Sequence, residues 1–242
     1  MSHGQRFFRP DALDGDSFFL SGDEARHAAR VLRIREGDRV TLMDGRGSTR
    51  EFSVICAGRE GLEIKAASEA VRAPLPAVRP HLILGAPDMK ALEEALLHAV
   101  ELGMFRMALV QTERSPSPIR AYEARTERFM KIAASAIKQS GNPFLPEISF
   151  HRHLSEALGT APEKGYVLDQ KGNRVNAALL LTGEIGLAVG PEGDFTEGEK
   201  RMLEEAGYAR LSVSSNTLRV ETAVLAALSL VTCPGFFSGF EG

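Results

Sequence analysis

Two segments of this chain combine glycine, small polar and charged residues in an order that could do chemistry. The first is Leu187-Ala-Val-Gly-Pro-Glu-Gly-Asp-Phe-Thr-Glu-Gly-Glu199, an apolar strand that runs into a loop holding Gly190, Pro191, Glu192 and Gly193, then into a helix started by Thr196. In an open α/β sheet, ligands sit past the carboxyl ends of the strands, where glycines let backbone amides approach closely. A Walker-type phosphate loop does not fit, because Gly193 to Gly198 is followed by Glu199-Lys200 in place of Lys then Ser or Thr. A structural turn is the plain alternative. The second segment is Leu211-Ser-Val-Ser-Ser-Asn-Thr-Leu-Arg-Val-Glu-Thr-Ala223, where a strand ends in small polar residues and leads into an apolar helix.

Other polar clusters are weaker. His151-Arg-His153 would present both imidazoles on one face only in a strand, and no third ligand is near in sequence, so a surface pair and no metal is expected. Pro116 and Pro118, with Arg114 and Arg120, read as a connector that could also reach RNA.

Positioning the two segments requires a sheet. After Pro80, apolar strands over 81–85, 107–111, 166–169 and 186–189 alternate with helices over 90–102, 121–140, 196–206 and 221–232, the pattern of a mostly parallel α/β sheet. The last helix is apolar nearly all round, which predicts burial in the core or against a second subunit. Val71 to Pro80 holds three prolines in seven residues, composition that favours an extended connector. Before it, short strands over 17–20, 39–43, 51–57 and 62–67 are separated by turn signals such as Asp44-Gly-Arg-Gly47, which suggests a small β-barrel. One helix over 25–34 interrupts it, capped by Ser21-Gly-Asp-Glu24. Its Arg26, Arg30 and Arg33 share one face, either simply solvated or in contact with RNA. The expected division is a domain over 1–72, a linker over 73–80 and a second domain over 81–242.

Composition narrows the classes. With 43% hydrophobic residues in 242, the chain can bury a core large enough to offset its ordering entropy. Cys56 and Cys233 show no paired spacing, which argues against a disulfide framework or a cysteine zinc site and suits a reducing compartment. The N-terminus carries no secretion signal and no apolar run approaches the roughly 18 residues needed to span a bilayer, so a cytoplasmic protein without membrane contact is expected. The net charge of −3 does not announce a polyanion partner. Over residues 1–70, however, 10 of the 11 basic residues are arginine, the side chain suited to bidentate phosphate contact.

The two segments together carry a resemblance. Gly190-Pro-Glu-Gly193 followed by Phe195 and an acidic helix, then Leu218-Arg-Val-Glu-Thr-Ala223, resembles the 16S rRNA uracil-N3 methyltransferase family called RsmE, within the SPOUT class. The family pattern is similar at Arg6-Phe-Phe8, His27, Val31-Leu-Arg33, Gly37-Asp38, the helix from Lys90 to Gly103, and Gln139-Ser140. Asp194 stands where a second glycine is common, and Ser214, Thr217, Lys138 and Asn142 also depart from the pattern. The resemblance implies an α/β protein in which a PUA-like RNA-binding β-barrel precedes a SPOUT trefoil-knot domain, and a homodimer. The cofactor it implies is S-adenosylmethionine, held by backbone groups of three loops around Leu168, around Val189, Gly190, Pro191, Glu192 and Gly193, and around Leu211, Val213, Ser214, Asn216 and Leu218.

The substrate implied is a uridine of 16S ribosomal RNA in the small subunit. Uracil N3 bears a proton and is a poor nucleophile until that proton leaves, so something must stabilise the anion. Arg219 could place its guanidinium at the uracil oxygens, and Glu221 or Glu192 could accept the proton. The plain alternatives are a structural ion pair for Arg219 and a helix N-terminal contact for Glu221. Arg6, Arg9, Arg26, Arg30 and Arg33 are the candidates for RNA contact. Two other functions are consistent with the sequence: a SPOUT enzyme acting on another RNA, for example on a tRNA ribose 2′-O, and a non-catalytic RNA-binding or ribosome-assembly protein.

Overall fold

The computed structural model describes residues 5–11, 13–22, 34–58, 60–174 and 182–233. Arg26, Arg30 and Arg33, and the helix expected around them, lie outside the described residues. The chain divides into two compact units, one of Met1–Leu75 with Ile137–Leu145, the other of Pro76–Ala136 with Pro146–Gly242.

The first unit is a curled six-stranded sheet of β1 (Gln5–Phe8), β2 (Ser17–Ser21), β3 (Arg39–Met43), β4 (Ser48–Ala57), β5 (Gly61–Ala66) and β6 (Val71–Arg72). The order is β1-β3-β4-β5-β2, with β6 on β4; only β1 and β3 run parallel. Alternation sends Val40, Leu42, Phe52, Val54, Leu62 and Ile64 to one face, where they close with Phe7 and Leu20 into a core. The turn between β3 and β4 is specified locally. Gly45 and Gly47 have φ of 73° and 101°, and the Asp44 Oδ1 accepts from the Arg46 and Ser48 amides at 2.7 and 2.8 Å. Arg50 lies with its guanidinium 5.6 Å from the Phe52 ring centre and donates to the carbonyls of Leu13, Gly15 and Ser68.

Backbone bonds also bring a later segment into the first unit. Residues 137–145 group with the first unit because Gly47 N–H donates to Pro143 and Leu145 N–H to Gly45, with an isolated bridge between Arg46 and Phe144. No local periodicity reports such a pairing.

The second unit is a six-stranded, all-parallel sheet in the order β12-β10-β11-β7-β8-β9. Its elements in chain order are β7 (Val78–Gly85), α1 (Met89–Glu101), β8 (Arg106–Val110), α2 (Ile119–Glu123), α3 (Thr126–Ser140), β9 (Glu147–His151), α4 (Leu154–Leu158), β10 (Gly165–Arg174), β11 (Gly183–Val189), α5 (Glu197–Glu205), β12 (Tyr208–Ser212) and α6 (Val220–Thr232). The central strands read as unbroken apolar runs because both faces are covered. Ile83, Ala108, Val167 and Ala188 pack on one side with Leu154, Phe195, Leu203 and Tyr208. On α1, Leu92, Ala95, Leu96, Ala99 and Val100 form the buried stripe, and on α6 Val220, Val224, Ala227, Leu228 and Val231 do. Among the described residues no helix is long and apolar enough to cross a membrane.

Two expectations change. The helix read over 121–140 is two helices, since Arg125 and Arg128 N–H turn back to Tyr122 and Arg125 in tight three-residue steps. The strand β7 also begins at Val78, within the stretch read as linker, and so contains Pro80. Proline is tolerated because pairing with β8 starts one residue later, at His81, and the Pro80 carbonyl still accepts from Phe105 N–H.

His81 sits in this sheet, 4% exposed, with no hydrogen-bond partner for Nδ1 among the described residues. Burial, then the Arg106 and His151 charges, outweigh the opposing Glu184 and bring its pKa down to about 4. Between this value and the ordinary 6.5 the unfolded chain binds the proton and the folded one does not. Stability therefore falls as pH drops through that window, by about 3 kcal/mol at most. Urea denaturation between pH 7 and 4 is expected to show this slope in the wild type and to lose that part of it in His81→Gln.

Candidate functional site

The carboxyl-end edge of the sheet opens into a cavity of about 820 Å³. Its first wall is a bulge. β10 pairs with β12 over Gly165–Leu168 and again at Asn173–Arg174, so residues 169–172 bow out of the ladder. The bulge needs Gly172, where a Cβ would lie 2.6 Å from the Leu211 nitrogen.

The second wall is the loop after β11. A Cβ on Gly190 would stand 2.7 Å from Phe195 N, and Pro191 presses against Gly85, where a Cβ would fall 2.6 Å from the proline ring. This loop is closed by the capping box of α5, in which Thr196 Oγ1 accepts from Glu199 N–H and Glu199 Oε2 from Thr196 N–H at 2.8 Å. Glu199 Oε1 also accepts from Glu113 N–H at 3.0 Å.

The third wall is the segment after β12. Asn216 N–H donates to Ser214 Oγ at 3.0 Å, and Gln170 Nε2 donates to Thr217 Oγ1 at 2.9 Å. The serine and threonine that depart from the family pattern thus shape this loop, and Thr217 ties it to the bulge.

Every residue singled out in these loops lies on this one cavity: Leu168, Val189, Gly190, Pro191, Glu192, Gly193, Leu211, Val213, Ser214, Asn216 and Leu218, with Arg219 and Glu221 beside them. Arg219 is the N-cap of α6 with no side-chain cap bond, and its guanidinium makes no hydrogen bond or ion pair among the described residues. Glu221 stands in the first turn of α6. Glu192 differs, because its Oε1 accepts from Asp88 N–H at 2.9 Å and holds the start of α1. In the first unit, Arg6 donates to the carbonyls of Lys138 and Gln139 at 3.1 and 3.3 Å, while Arg9 is exposed.

Sequence reasoning missed part of the wall. Arg114, read as part of a connector, donates to Gly193 O at 2.6 Å and packs over that glycine. A cluster of Asp169, Asp194, Lys200 and Arg210 also went unread. Lys200 Nζ lies 2.6 Å from Asp194 and 3.0 Å from Asp169, and Arg210 Nη1 lies 3.0 Å from Asp169. Burial would raise the Asp169 carboxyl, but the Lys171 N–H and the Lys200 and Arg210 charges hold it below its ordinary range. Burial likewise opposes the Lys200 ammonium, and its bonds to Asp194 and Asp169 more than offset this. Away from the cavity, His151 Nε2 meets Ser149 Oγ at 2.8 Å and His153 caps α4. No group of three or more metal-ligating side chains occurs among the described residues.

Comparison with known proteins gives the family. Residues 74–232 match the model of an RNA methyltransferase domain, and residues 20–66 that of an RNA methyltransferase PUA domain. The chain is 28% identical over 214 residues to the ribosomal RNA small subunit methyltransferase E of Helicobacter pylori, covering 87% of this chain and 92% of that one. It is 31% identical over 146 residues to the protein of that name from Aquifex aeolicus, covering 60% and 63%. The solved structure of a ribosomal RNA small subunit methyltransferase E from Neisseria gonorrhoeae bound to S-adenosyl methionine superposes with a TM-score of 0.83 at 27% identity, over 96% of this chain and 98% of that one. The fold is the one the resemblance implied, an α/β SPOUT trefoil-knot domain behind a PUA-like barrel. The chain belongs to the RNA methyltransferase family in which a PUA domain precedes the methyltransferase domain.

Proposed function

We propose that the protein methylates N3 of a uridine in 16S ribosomal RNA of the small subunit, with S-adenosylmethionine as methyl donor, in the cytoplasm and as a homodimer. The observation that carries the reading is the cavity of three backbone loops with an arginine that has no partner among the described residues, and a glutamate, at its side. The names of the relatives support the choice of ribosomal RNA. The residues fit the cofactor. Gly190 lets the loop fold back against Phe195 N, where a Cβ would clash, and a cavity of about 820 Å³ suits a nucleoside-sized ligand.

Bound in these loops, S-adenosylmethionine would supply an electrophilic methyl on a sulfonium. The chain's own task is then binding, orientation and proton transfer. Residues 168–170, 190–193 and 211–218 offer backbone donors and acceptors to the cofactor. Arg219 reaches the uracil and stabilises the charge on its oxygens as N3 loses its proton. Glu221 accepts that proton. Glu192 is the weaker candidate for base, since its carboxylate already takes the Asp88 amide.

Methylation at the pairing edge needs an unpaired or flipped base, so affinity must come from elsewhere on the RNA. We assign this to the domain over 1–72, ahead of the linker over 73–80 and the methyltransferase domain over 81–242, with Arg9, Arg26, Arg30 and Arg33 as phosphate contacts and Arg6 in a supporting part. Arg30→Ala and Arg33→Ala are each expected to weaken RNA binding and to lower the slope of log affinity against log salt by about 1. An unchanged slope in filter binding would remove this face from the account.

The substrate assignment is tested by incubating the protein with methyl-labelled S-adenosylmethionine and, separately, small ribosomal subunits, bare 16S rRNA and tRNA. Label in small-subunit RNA supports it; label in tRNA alone overturns it and keeps only the methyltransferase.

A further inference from the structure

We propose that the cluster of Asp169, Asp194, Lys200 and Arg210, in which Asp169 and Lys200 are buried, is a positioning device that fixes two of the three cavity loops, with Asp194 and Lys200 acting as one unit. The inference rests on the cofactor reading above, which gives the loops their ligand.

Lys200 is the most enclosed cation in the described chain, its side chain 5% exposed although it projects from a helix rich in acids. Its ammonium joins two separate pieces of backbone. One is the bulge that begins at Asp169, whose Oδ1 also accepts from Lys171 N–H at 2.9 Å. The other is the loop after β11, where Asp194 is the one non-glycine residue with positive φ, 62°, among the described residues. That conformation suits glycine and strains a residue with a Cβ. Asp194 is held in it from both oxygens, Oδ1 accepting from Phe195 N–H at 2.8 Å and Oδ2 from Lys200 at 2.6 Å. Arg210 extends the tie, since it bonds Asp169 immediately before Leu211, where the third wall begins, and is itself braced by Glu197 and Glu204.

Fold stability alone does not call for this arrangement. Well-packed apolar residues replace buried ion clusters without loss in many proteins, while removal of one member leaves an uncompensated charge. The positions of the four groups explain it better. Asp169, Asp194 and Lys200 line the cavity, yet their polar atoms bond each other and the adjacent backbone, so they act on a ligand through the loops they hold.

Coupling between Asp194 and Lys200 follows. Lys200→Met leaves Asp194 strained and without its cation, whereas Asp194→Gly removes both the strain and the carboxylate and leaves Lys200 paired with Asp169. The full-length wild type, Lys200→Met, Asp194→Gly and the double variant are compared by calorimetric titration with S-adenosylmethionine and by amide hydrogen exchange without ligand. Lys200→Met is expected to weaken binding about tenfold or more and to speed exchange in segments 169–172 and 190–195. Asp194→Gly and the double variant are each expected to lose less affinity than Lys200→Met, because glycine relieves the strain that the lysine no longer offsets, the signature of a coupled pair. Should Lys200→Met not fold, Asp194→Ala against Asp194→Gly carries the same test, the alanine losing more affinity than the glycine.

Unchanged affinity and exchange in Lys200→Met, or a double variant as weak as Lys200→Met, would overturn the proposal. A wild type that binds no S-adenosylmethionine would defeat the cofactor reading, and the exchange rates would then decide the cluster by themselves.

Discussion

Arg219→Ala is expected to slow methyl transfer by about 10² to 10³-fold while leaving S-adenosylmethionine affinity within a few fold, because removal of one preorganised donor at a developing oxyanion has that scale. The side chain is exposed, caps no helix amide and makes no internal pair among the described residues, so its loss has little to disturb in the fold. Its backbone carbonyl, which accepts from Ala223 N–H and starts α6, survives the substitution. Single-turnover transfer, cofactor titration and thermal melting separate the outcomes. A fall in rate with unchanged affinity and melting fits the anion-stabilising part. An equal loss in both would make Arg219 a cofactor ligand, and no loss in either would remove it from the chemistry. Arg219→Lys is expected to recover only part of the rate, since a point charge replaces a planar fork that can meet two oxygens.

Tyr208→Ala is expected to cost about 3 to 5 kcal/mol of stability, read from urea unfolding. Tyr208 opens β12, is 2% exposed, and lies over Gly165 of β10 and Gly186 of β11, where any side chain would overlap its ring. Its truncation leaves a void across three neighbouring strands and the inner end of α5. The hydroxyl donates to Pro162 O at 3.1 Å, and burial pushes its pKa up, so it stays protonated at any working pH. Tyr208→Phe is therefore expected to lose only about 1 kcal/mol, the net worth of one hydrogen bond. Equal costs for the two variants would show that the hydroxyl, and not the ring, holds this corner.

The parts of the site that were legible in sequence are those specified over short distances. The glycines of 190–193, the capping box from Thr196 to Glu199 and the polar run before Leu218 each signal a local backbone event, and a strand precedes each loop. Asp169, Asp194, Lys200 and Arg210 come from four different parts of the fold, and of them only Asp194 stood out in the sequence, as a departure from the family pattern. Lys200 stood in view only as a residue that fails the Walker pattern. A lysine in a helix otherwise rich in acids, six residues after an aspartate at a glycine-like position, was the one available signal. In the fold, alternation placed β2, β3, β4 and β5 to within a few residues but missed β1 and β6, and the 137–145 segment joins that unit through backbone bonds that carry no side-chain pattern. Pro80 misled for a physical reason, since it stands where β8 has not yet begun, so its missing N–H breaks no bond to that strand.

The central claim is the acceptor atom, and the most direct measurement is the identity of the labelled nucleoside after transfer from methyl-labelled S-adenosylmethionine to small ribosomal subunits. Digestion to nucleosides with chromatography and mass analysis is expected to place the label in 3-methyluridine. Label in a ribose-methylated or any other nucleoside would contradict the account of N3 deprotonation beside Arg219 and Glu221.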